Sequence, residues 1–208
     1  MPDEVFPVCS GAGACCGLNV ITFDSRGDVY VSDSFGGKVY KLSLPKGAVT
    51  EFVAHDLLKP GSHGFPPFGA NGIAFDPAGT NLYIANTADD RILKYEAASR
   101  TVSVFAESVN GADGIAFDAN GLLWVAANQA DEIVALNAKG RVVERRGAFG
   151  GIGEDGAPKG LLFPASIVLS GGSIYVTNLA LALTAPVGDE PEEDVTTYTV
   201  ARVPLNGD

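Results

Sequence analysis

The chain has few charged residues and no long hydrophobic run. Charged residues make up 19% of its 208 residues and hydrophobic residues 46%. Disordered chains have the opposite balance, so this composition predicts a folded protein with a substantial core. A membrane-spanning helix needs roughly 20 consecutive apolar residues. The sequence contains no such run, so no transmembrane segment is expected.

Basic residues are also scarce. There are 14 Lys and Arg against 25 Asp and Glu, which gives a formal net charge of -11. Nucleic acid is a polyanion that this charge would repel, so nucleic acid is not expected as a partner. An acidic protein is suited to holding a cation, although acidity serves solubility in most proteins.

Cysteine and histidine are too rare to build the sites they usually form. The three cysteines all lie within residues 9–16, and there are two histidines. An odd number of cysteines argues against a disulfide framework, and no Cys/His spacing matches a zinc site. Neither histidine lies in a recognised catalytic motif. The first residues lack the basic start and apolar stretch of a signal peptide, so none is predicted; a trimmed precursor would leave export open.

A block of residues that recurs four times is the main feature of the sequence. Its copies begin with Asn-Val-Ile-Thr-Phe-Asp (19–24), Asn-Gly-Ile-Ala-Phe-Asp (71–76), Asp-Gly-Ile-Ala-Phe-Asp (113–118) and Ala-Ser-Ile-Val-Leu (165–169). Each copy continues through a Gly turn into a short segment with an aromatic residue, a pattern typical of a β-hairpin. Third and fourth strands are predicted after each of the first three hairpins.

The spacing of these copies predicts the fold. Their leading residues are 52, 42 and 52 positions apart. Repeats of about 40 to 50 residues built from strands alone are typical of propeller blades. We therefore predict an all-β fold, with residues 1–208 forming a single β-propeller domain with four recognisable four-stranded antiparallel blades.

The last predicted blade lacks an outer strand, because the chain stops soon after its third strand at 200–205. Two explanations stay open. The N-terminal segment 1–16 closes this blade, with residues 5–8 as the strand and Pro7 tolerated at a sheet edge, or the chain lacks further blades.

Three long segments interrupt the repeat, at 55–68, 147–164 and 179–197. In an up-and-down blade, the connections that contain them emerge on the same face as the leading residues of the inner strands. We therefore expect all three insertions to surround one mouth of the central channel, where binding sites are usually built.

The leading residues Asn19, Asn71 and Asp113 are the candidate site. They are predicted to face the channel axis, and amide and carboxylate oxygens are the ligands that calcium, magnesium and manganese prefer. A divalent cation polarises a carbonyl or activates water, and Asp113 is a candidate general base. In the alternative interpretation, these residues cap turns by bonding to backbone N–H groups.

His63, in the first insertion, is a candidate substrate-binding residue, general base or lid residue. Its alternative is a solvated loop histidine.

The motifs at 71–76 and 113–118 resemble those of the family of gluconolactonase, regucalcin (senescence marker protein) and luciferin-regenerating enzyme. The segments Phe-Pro-Ala-Ser (163–166) and Tyr-Val-Thr-Asn (175–178) are similar to bacterial members. The resemblance implies a six-bladed propeller with a divalent cation in its channel that hydrolyses lactones. It implies that Asn71 and Asp113 are metal ligands and that Asn19 contacts substrate or metal.

Two positions depart from the family pattern. The family's Glu ligand in a Glu-Gly-Pro motif has no counterpart, and Leu18 stands where the family has Arg.

The sequence therefore predicts a divalent-metal-dependent hydrolase of the lactonase type. Its expected substrate is a lactone or sugar-acid derivative, and its expected cation is calcium, with magnesium, manganese or zinc as alternatives. The alternative function is a non-catalytic NHL-like propeller that binds a small molecule or protein on its loop-rich face.

Overall fold

The computed structural model describes residues 4–9, 16–62, 66–184, 188 and 190–205. The described chain is built from β-strands and three short 3-10 helices at Asp56–Leu58, Asn128–Ala130 and Pro191–Asp194. Its four blades are antiparallel sheets arranged as a β-propeller, so the predicted fold class is confirmed.

Three of the four blades have four strands, paired in chain order. The first blade contains β1 (Leu18–Phe23), β2 (Val29–Asp33), β3 (Lys38–Ser43) and β4 (Ala48–Ala54). The second contains β5 (Ala70–Phe75), β6 (Asn81–Asn86), β7 (Arg91–Glu96) and β8 (Thr101–Ala106). The third contains β9 (Ala112–Phe117), β10 (Leu123–Ala127), β11 (Glu132–Leu136) and β12 (Val142–Arg146).

The fourth blade follows a small hairpin that the sequence did not predict. This hairpin pairs β13 (Phe149–Ile152) with β14 (Pro158–Gly160) inside the second insertion. The fourth blade then contains β15 (Pro164–Ser170), β16 (Ser173–Asn178) and β17 (Val200–Pro204). The inner strands β1, β5, β9 and β15 lie side by side in that order.

The described residues 4–9 of the N-terminal segment do not pair with the fourth blade. Residues 5–8 form no strand, and the fourth sheet has three strands among the described residues. Phe6 instead lies against Gly47, in the turn between β3 and β4 of the first blade. Cys9 forms a disulfide with Cys16, a bond that the odd cysteine count did not lead us to expect.

Interfaces between neighbouring blades form the main hydrophobic core. The aromatic residue of each second strand packs against the following blade: Tyr30 contacts Phe75 edge-on at 4.9 Å between ring centroids, and Tyr83 contacts Phe117 at 5.1 Å. Trp124, which is 1% exposed, occupies the same position between the third and fourth blades. Each blade therefore has two buried faces where a neighbour is present on both sides.

The aspartate that ends each of the first three inner-strand motifs holds the hairpin turn. Asp24 accepts backbone N–H bonds from Arg26 and Asp28, and Asp118 accepts them from Asn120 and Leu122. The Trp124 indole N–H also donates to Asp118 at 3.1 Å. These aspartates therefore cap turns at the end of the inner strand that lies opposite to the leading residues.

Candidate functional site

The leading residue of every blade lies at an irregularity in strand pairing. In all four blades, the register between the first and second strands shifts near the start of the inner strand. The shift includes Asn19, Asn71, Asp113 and Ala165, respectively. Such bulges redirect side chains and occur next to functional sites. The fold therefore gives the four leading residues the same special position.

Close packing of the inner strands explains the glycines that follow two of these residues. A Cβ atom on Gly72 would lie 2.0 Å from the carbonyl oxygen of Asp113, and one on Gly114 would lie 2.4 Å from the carbonyl oxygen of Ala165. These positions need glycine because the backbone of the next blade occupies the space of a side chain. The spacing brings Asn71 and Asp113 into adjacent blades at one end of the channel.

Asn19, Asn71 and Asp113 line one cavity of about 670 Å³. All three insertions contribute to its wall, as predicted: Pro66 and Phe68 come from the first, Phe163 from the second, and Leu179 and Leu181 from the third. The structure therefore brings the three candidate residues together below the loop-rich mouth. His63 lies outside the described residues, so its role as a substrate-binding residue stays a prediction.

Thr87 fixes the orientation of the Asn71 side chain. The Thr87 hydroxyl donates its one proton to the carbonyl oxygen of Ala112 at 2.7 Å. Its oxygen is then free to accept from Asn71 Nδ2 at 2.9 Å. The other end of the amide, Asn71 Oδ1, is buried without a hydrogen-bond partner. An unsatisfied buried carbonyl oxygen has a free-energy cost of about 1 to 3 kcal/mol, so it is a notable feature of this site.

The same arrangement recurs one blade earlier. Ser34 donates to the carbonyl oxygen of Ala70 at 2.8 Å and accepts from Asn19 Nδ2 at 3.2 Å. In the fourth blade, both corresponding positions are apolar, with Ala165 and Leu179. The first two blades therefore share this arrangement, and the third blade has a different polar pair, in which Asn128 donates to Asp113.

Asp113 is the acidic member of the site. It is the one charged residue among the described residues that line the cavity. Burial raises its pKa from 3.8 to about 6, and the hydrogen bond from Asn128 Nδ2 at 3.4 Å opposes this shift weakly. The carboxyl group is therefore partly protonated near pH 6 and ionised at neutral pH.

The turn-capping interpretation does not describe these side chains. In the described part of the chain, the amide groups of Asn19 and Asn71 donate to hydroxyl groups, and Asp113 accepts from the side chain of Asn128. Sequence reasoning missed Ser34, Thr87 and Asn128. The available signal was their common place in the repeat, each three residues after the β-branched residue of the second strand.

A second group of candidate ligands lies outside the cavity. Cys9, Cys16 and Asp33 are the one group of three potential His, Cys, Asp or Glu ligands found in the described ranges. The two sulfur atoms are bonded to each other, and Asp33 Oδ1 accepts from the backbone N–H groups of Gly17 and Gly36, each at 2.9 Å. These interactions explain the group as a structural one.

Residues 66–147 match the model of a protein family described as the SMP-30/Gluconolactonase/LRE-like region. The family resemblance is confirmed. The matched segment contains Asn71 and Asp113, whereas Asn19 lies outside it. No curated protein matches the chain significantly.

Solved structures show the same fold at low sequence identity. A luciferin-regenerating enzyme is 18% identical, with a TM-score of 0.64 over 90% of this chain and 61% of that one. Regucalcin from Agrobacterium tumefaciens, described as a calcium-binding protein, is 20% identical, with a TM-score of 0.57 over 77% of this chain and 52% of that one. A putative gluconolactonase is 21% identical, with a TM-score of 0.57 over 80% of this chain and 57% of that one.

The chain thus spans between half and two thirds of the length of these three structures. No helix within the described ranges is both long and apolar enough to cross a membrane.

Proposed function

We propose that this cavity is the site of a divalent-cation-dependent hydrolase that acts on lactones. It rests on one observation: Asn71, whose Oδ1 is buried without a partner, and Asp113 line the same cavity. The match of the family model over the segment that contains both residues supports it.

The residues present fit a hard divalent cation. Asn71 Oδ1 is buried and lacks the partner that a buried carbonyl oxygen normally has. Asp113 supplies a negative charge, and Asn19 supplies a further amide oxygen, because Ser34 accepts from its Nδ2. Oxygen ligands of this kind are those that calcium, magnesium and manganese prefer. Asn71, Asp113 and Asn19 would therefore hold the cation, with calcium as the favoured ion.

When bound, a divalent cation would supply Lewis-acid polarisation of the substrate carbonyl and would make water more acidic. Asp113 is the candidate acceptor of the proton of an attacking water, because it is the one acidic residue among the described residues that line the cavity. Asn128 orients this carboxylate through its Nδ2 bond. Thr87 bonds to the nitrogen end of the Asn71 amide and so leaves the Asn71 oxygen available to a ligand.

The side chains of the cavity wall favour a substrate with apolar surface. The described lining contains no Lys, Arg or His, and much of it comes from Phe68, Phe163, Leu179 and Leu181. The carbon atoms of a lactone ring would contact these apolar side chains, while its polar carbonyl group would face the cation.

Hydrolysis of a lactone panel tests the proposal. The panel contains unsubstituted, alkyl-substituted and polyhydroxylated lactones, each assayed with calcium, magnesium, manganese or zinc and with a chelator. We expect cation-dependent turnover that Asp113→Ala abolishes and that the matched surface variant Asp194→Asn preserves, since Asp194 is exposed.

Turnover that persists in Asp113→Ala would overturn the assignment of this residue. Cation binding without turnover of any lactone would instead favour the alternative function, a non-catalytic propeller that binds ligands on its loop-rich face.

A further inference from the structure

Three residues of the cavity wall form an apolar strip: Phe163, Leu179 and Leu181. The backbone N–H of Leu179 donates to the carbonyl oxygen of Phe163 at 3.1 Å, which joins the second insertion to the third. Leu179 and Leu181 are 43% and 39% exposed. Exposed apolar side chains that line a cavity are typical of ligand-binding sites. The apolar strip is therefore available to a ligand in the cavity.

The residue between the two leucines anchors the apolar strip. Ala180 is 4% exposed and packs with Leu162 and Val195 in a small core. Its φ of 46° lies in the left-handed region that residues other than glycine seldom adopt. Further along, the backbone N–H of Leu183 donates to the carboxylate of Glu190 at 2.6 Å. The strip is therefore held in place before a ligand binds, and a pre-formed site loses less conformational entropy on binding.

The polar side chains of the same wall are largely bonded within the protein. Both ends of the Asn178 amide are engaged: Oδ1 accepts from a backbone N–H, and Nδ2 donates to Gly160 and Thr199. The Thr177 hydroxyl donates to the carbonyl oxygen of Ser166 at 3.4 Å and accepts from its backbone N–H at 2.9 Å. The hydroxyl groups of a polyhydroxylated lactone would lose water here and find few partners in the described lining.

A second cavity of about 200 Å³ continues the apolar strip. Phe163 and Leu181 line both cavities, and Leu183 adds apolar surface to the second. None of the three leading residues lines this second cavity in the described part of the chain. Its described lining has no Lys, Arg or His but includes three carboxylates, those of Asp131, Glu190 and Glu192. An apolar chain that passes Leu181 therefore has room, whereas a negatively charged end would meet like charges.

We propose that the substrate is a lactone with an uncharged alkyl substituent that lies on the apolar strip, rather than a polyhydroxylated sugar-acid lactone. This inference rests on the proposed function, because the lactone ring occupies the candidate cation site. From there the substituent extends over Leu179 and past Leu181 into the second cavity. Leu181 is the main specificity-determining residue, since it lines both cavities.

The size of the first cavity also favours a substituted ring. Its volume of about 670 Å³ lies within the range of about 300 to 1,000 Å³ that is typical of sites for drug-sized ligands. A lactone ring alone would fill a small part of this space. Each methylene group that is buried against the apolar strip adds binding free energy that does not depend on the cation. The substituent therefore contributes affinity of its own.

The dependence of turnover on the substituent tests the inference. Five-membered lactones that carry a methyl, butyl or hexyl group are compared with a polyhydroxylated lactone of the same ring size, in the presence of calcium. We expect kcat/KM to rise about two- to fourfold for each added methylene group. The hexyl lactone should exceed the polyhydroxylated one at least about tenfold. A polyhydroxylated lactone that is hydrolysed as efficiently as the hexyl lactone would overturn the inference.

Substitution of Leu181 tests the path of the substituent. Leu181→Ser should remove most of the rise with chain length and leave kcat/KM for the methyl lactone within about twofold of wild type. Leu181→Met, which keeps an apolar side chain, should retain the rise. The control Val143→Ser should also retain it, because Val143 is exposed on the outer strand of the third blade and does not line the cavity. An unchanged rise in Leu181→Ser would overturn the inference.

Binding without turnover separates this inference from the proposed function. The corresponding lactams, whose amide bond resists hydrolysis, are titrated by calorimetry in a chelator. Affinity that rises with the length of the alkyl group in the wild type, but not in Leu181→Ser, would support the inference even when no lactone is hydrolysed; in that case only the proposed hydrolysis fails. No binding of any lactam, or an affinity that is independent of chain length, would overturn the inference whatever the lactonase activity.

Discussion

Replacing Asp113 by asparagine should make the cation-free protein more stable at neutral pH. The substitution keeps the size of the side chain and its hydrogen bond from Asn128, but removes the charge from a desolvated position. A residue that serves a site at the expense of stability is a common feature of enzymes. The same substitution should remove the cation affinity, so that one change has opposite effects on stability and function.

The size of the effect follows from the pKa of Asp113. Burial raises this pKa from 3.8 in the unfolded reference to about 6 in the folded protein. One pKa unit corresponds to about 1.4 kcal/mol, so the ionised folded state is disfavoured by about 3 kcal/mol. The folded state binds the Asp113 proton more tightly than the unfolded state does. The contribution of this proton to the free energy of unfolding is therefore fully present below about pH 4, is lost as the pH rises through about 6, and is absent at higher pH.

Chemical denaturation in a chelator at pH 4 and pH 7.5 measures this effect. Asp113→Asn should unfold with nearly the wild-type free energy at pH 4 and with up to about 3 kcal/mol more at pH 7.5. Asp194→Asn, an exposed acid on the same face, should show no comparable difference. An Asp113→Asn variant that is no more stable than wild type at pH 7.5 would refute the assignment of a desolvated carboxylate.

Substitutions at two further positions test the hydrogen bonds and the packing around the site. Thr87→Val should weaken cation binding about tenfold, as measured by calorimetry. Thr87→Ser should keep the wild-type affinity, because serine can still donate to Ala112 and accept from Asn71. Equal affinity in the two variants would exclude this positioning role. Gly72→Ala should lower the free energy of unfolding by about 1 to 3 kcal/mol, since its Cβ would lie 2.0 Å from the carbonyl oxygen of Asp113; an unchanged denaturation midpoint would contradict that packing.

Local patterns made the blade architecture predictable. Alternating apolar residues and Gly turns are signals that extend over a few residues and recur at each blade, and the Phe-Asp ends of the motifs recur in the first three blades. The same patterns failed for β13 and β14, because the glycines at 150, 151 and 153 interrupt the apolar alternation that marks a strand. Whether residues 5–8 pair with the fourth blade depends on contacts between segments far apart in the sequence, and a local pattern does not predict such contacts.

The candidate site was predictable in its leading residues but not in their orientation. Asn71 and Asp113 could be found because they begin equivalent repeats. The role of Thr87 depends on hydrogen bonds to Asn71 and Ala112, which are 16 and 25 residues away in sequence. Such contacts require the strand register and the bulge, and neither can be read from the sequence. The raised pKa of Asp113 likewise depends on the neighbouring blades that bury it.

Calcium titration of the wild-type chain and of Asn71→Ala, measured by calorimetry, tests whether the leading residues hold a cation. We expect one calcium ion per chain, with a dissociation constant of about 10⁻⁴ to 10⁻³ M because the described cavity lining supplies a single acid, and loss of this binding in Asn71→Ala. Unchanged calcium binding in Asn71→Ala, or no binding to the wild type up to about 10 mM, would contradict it.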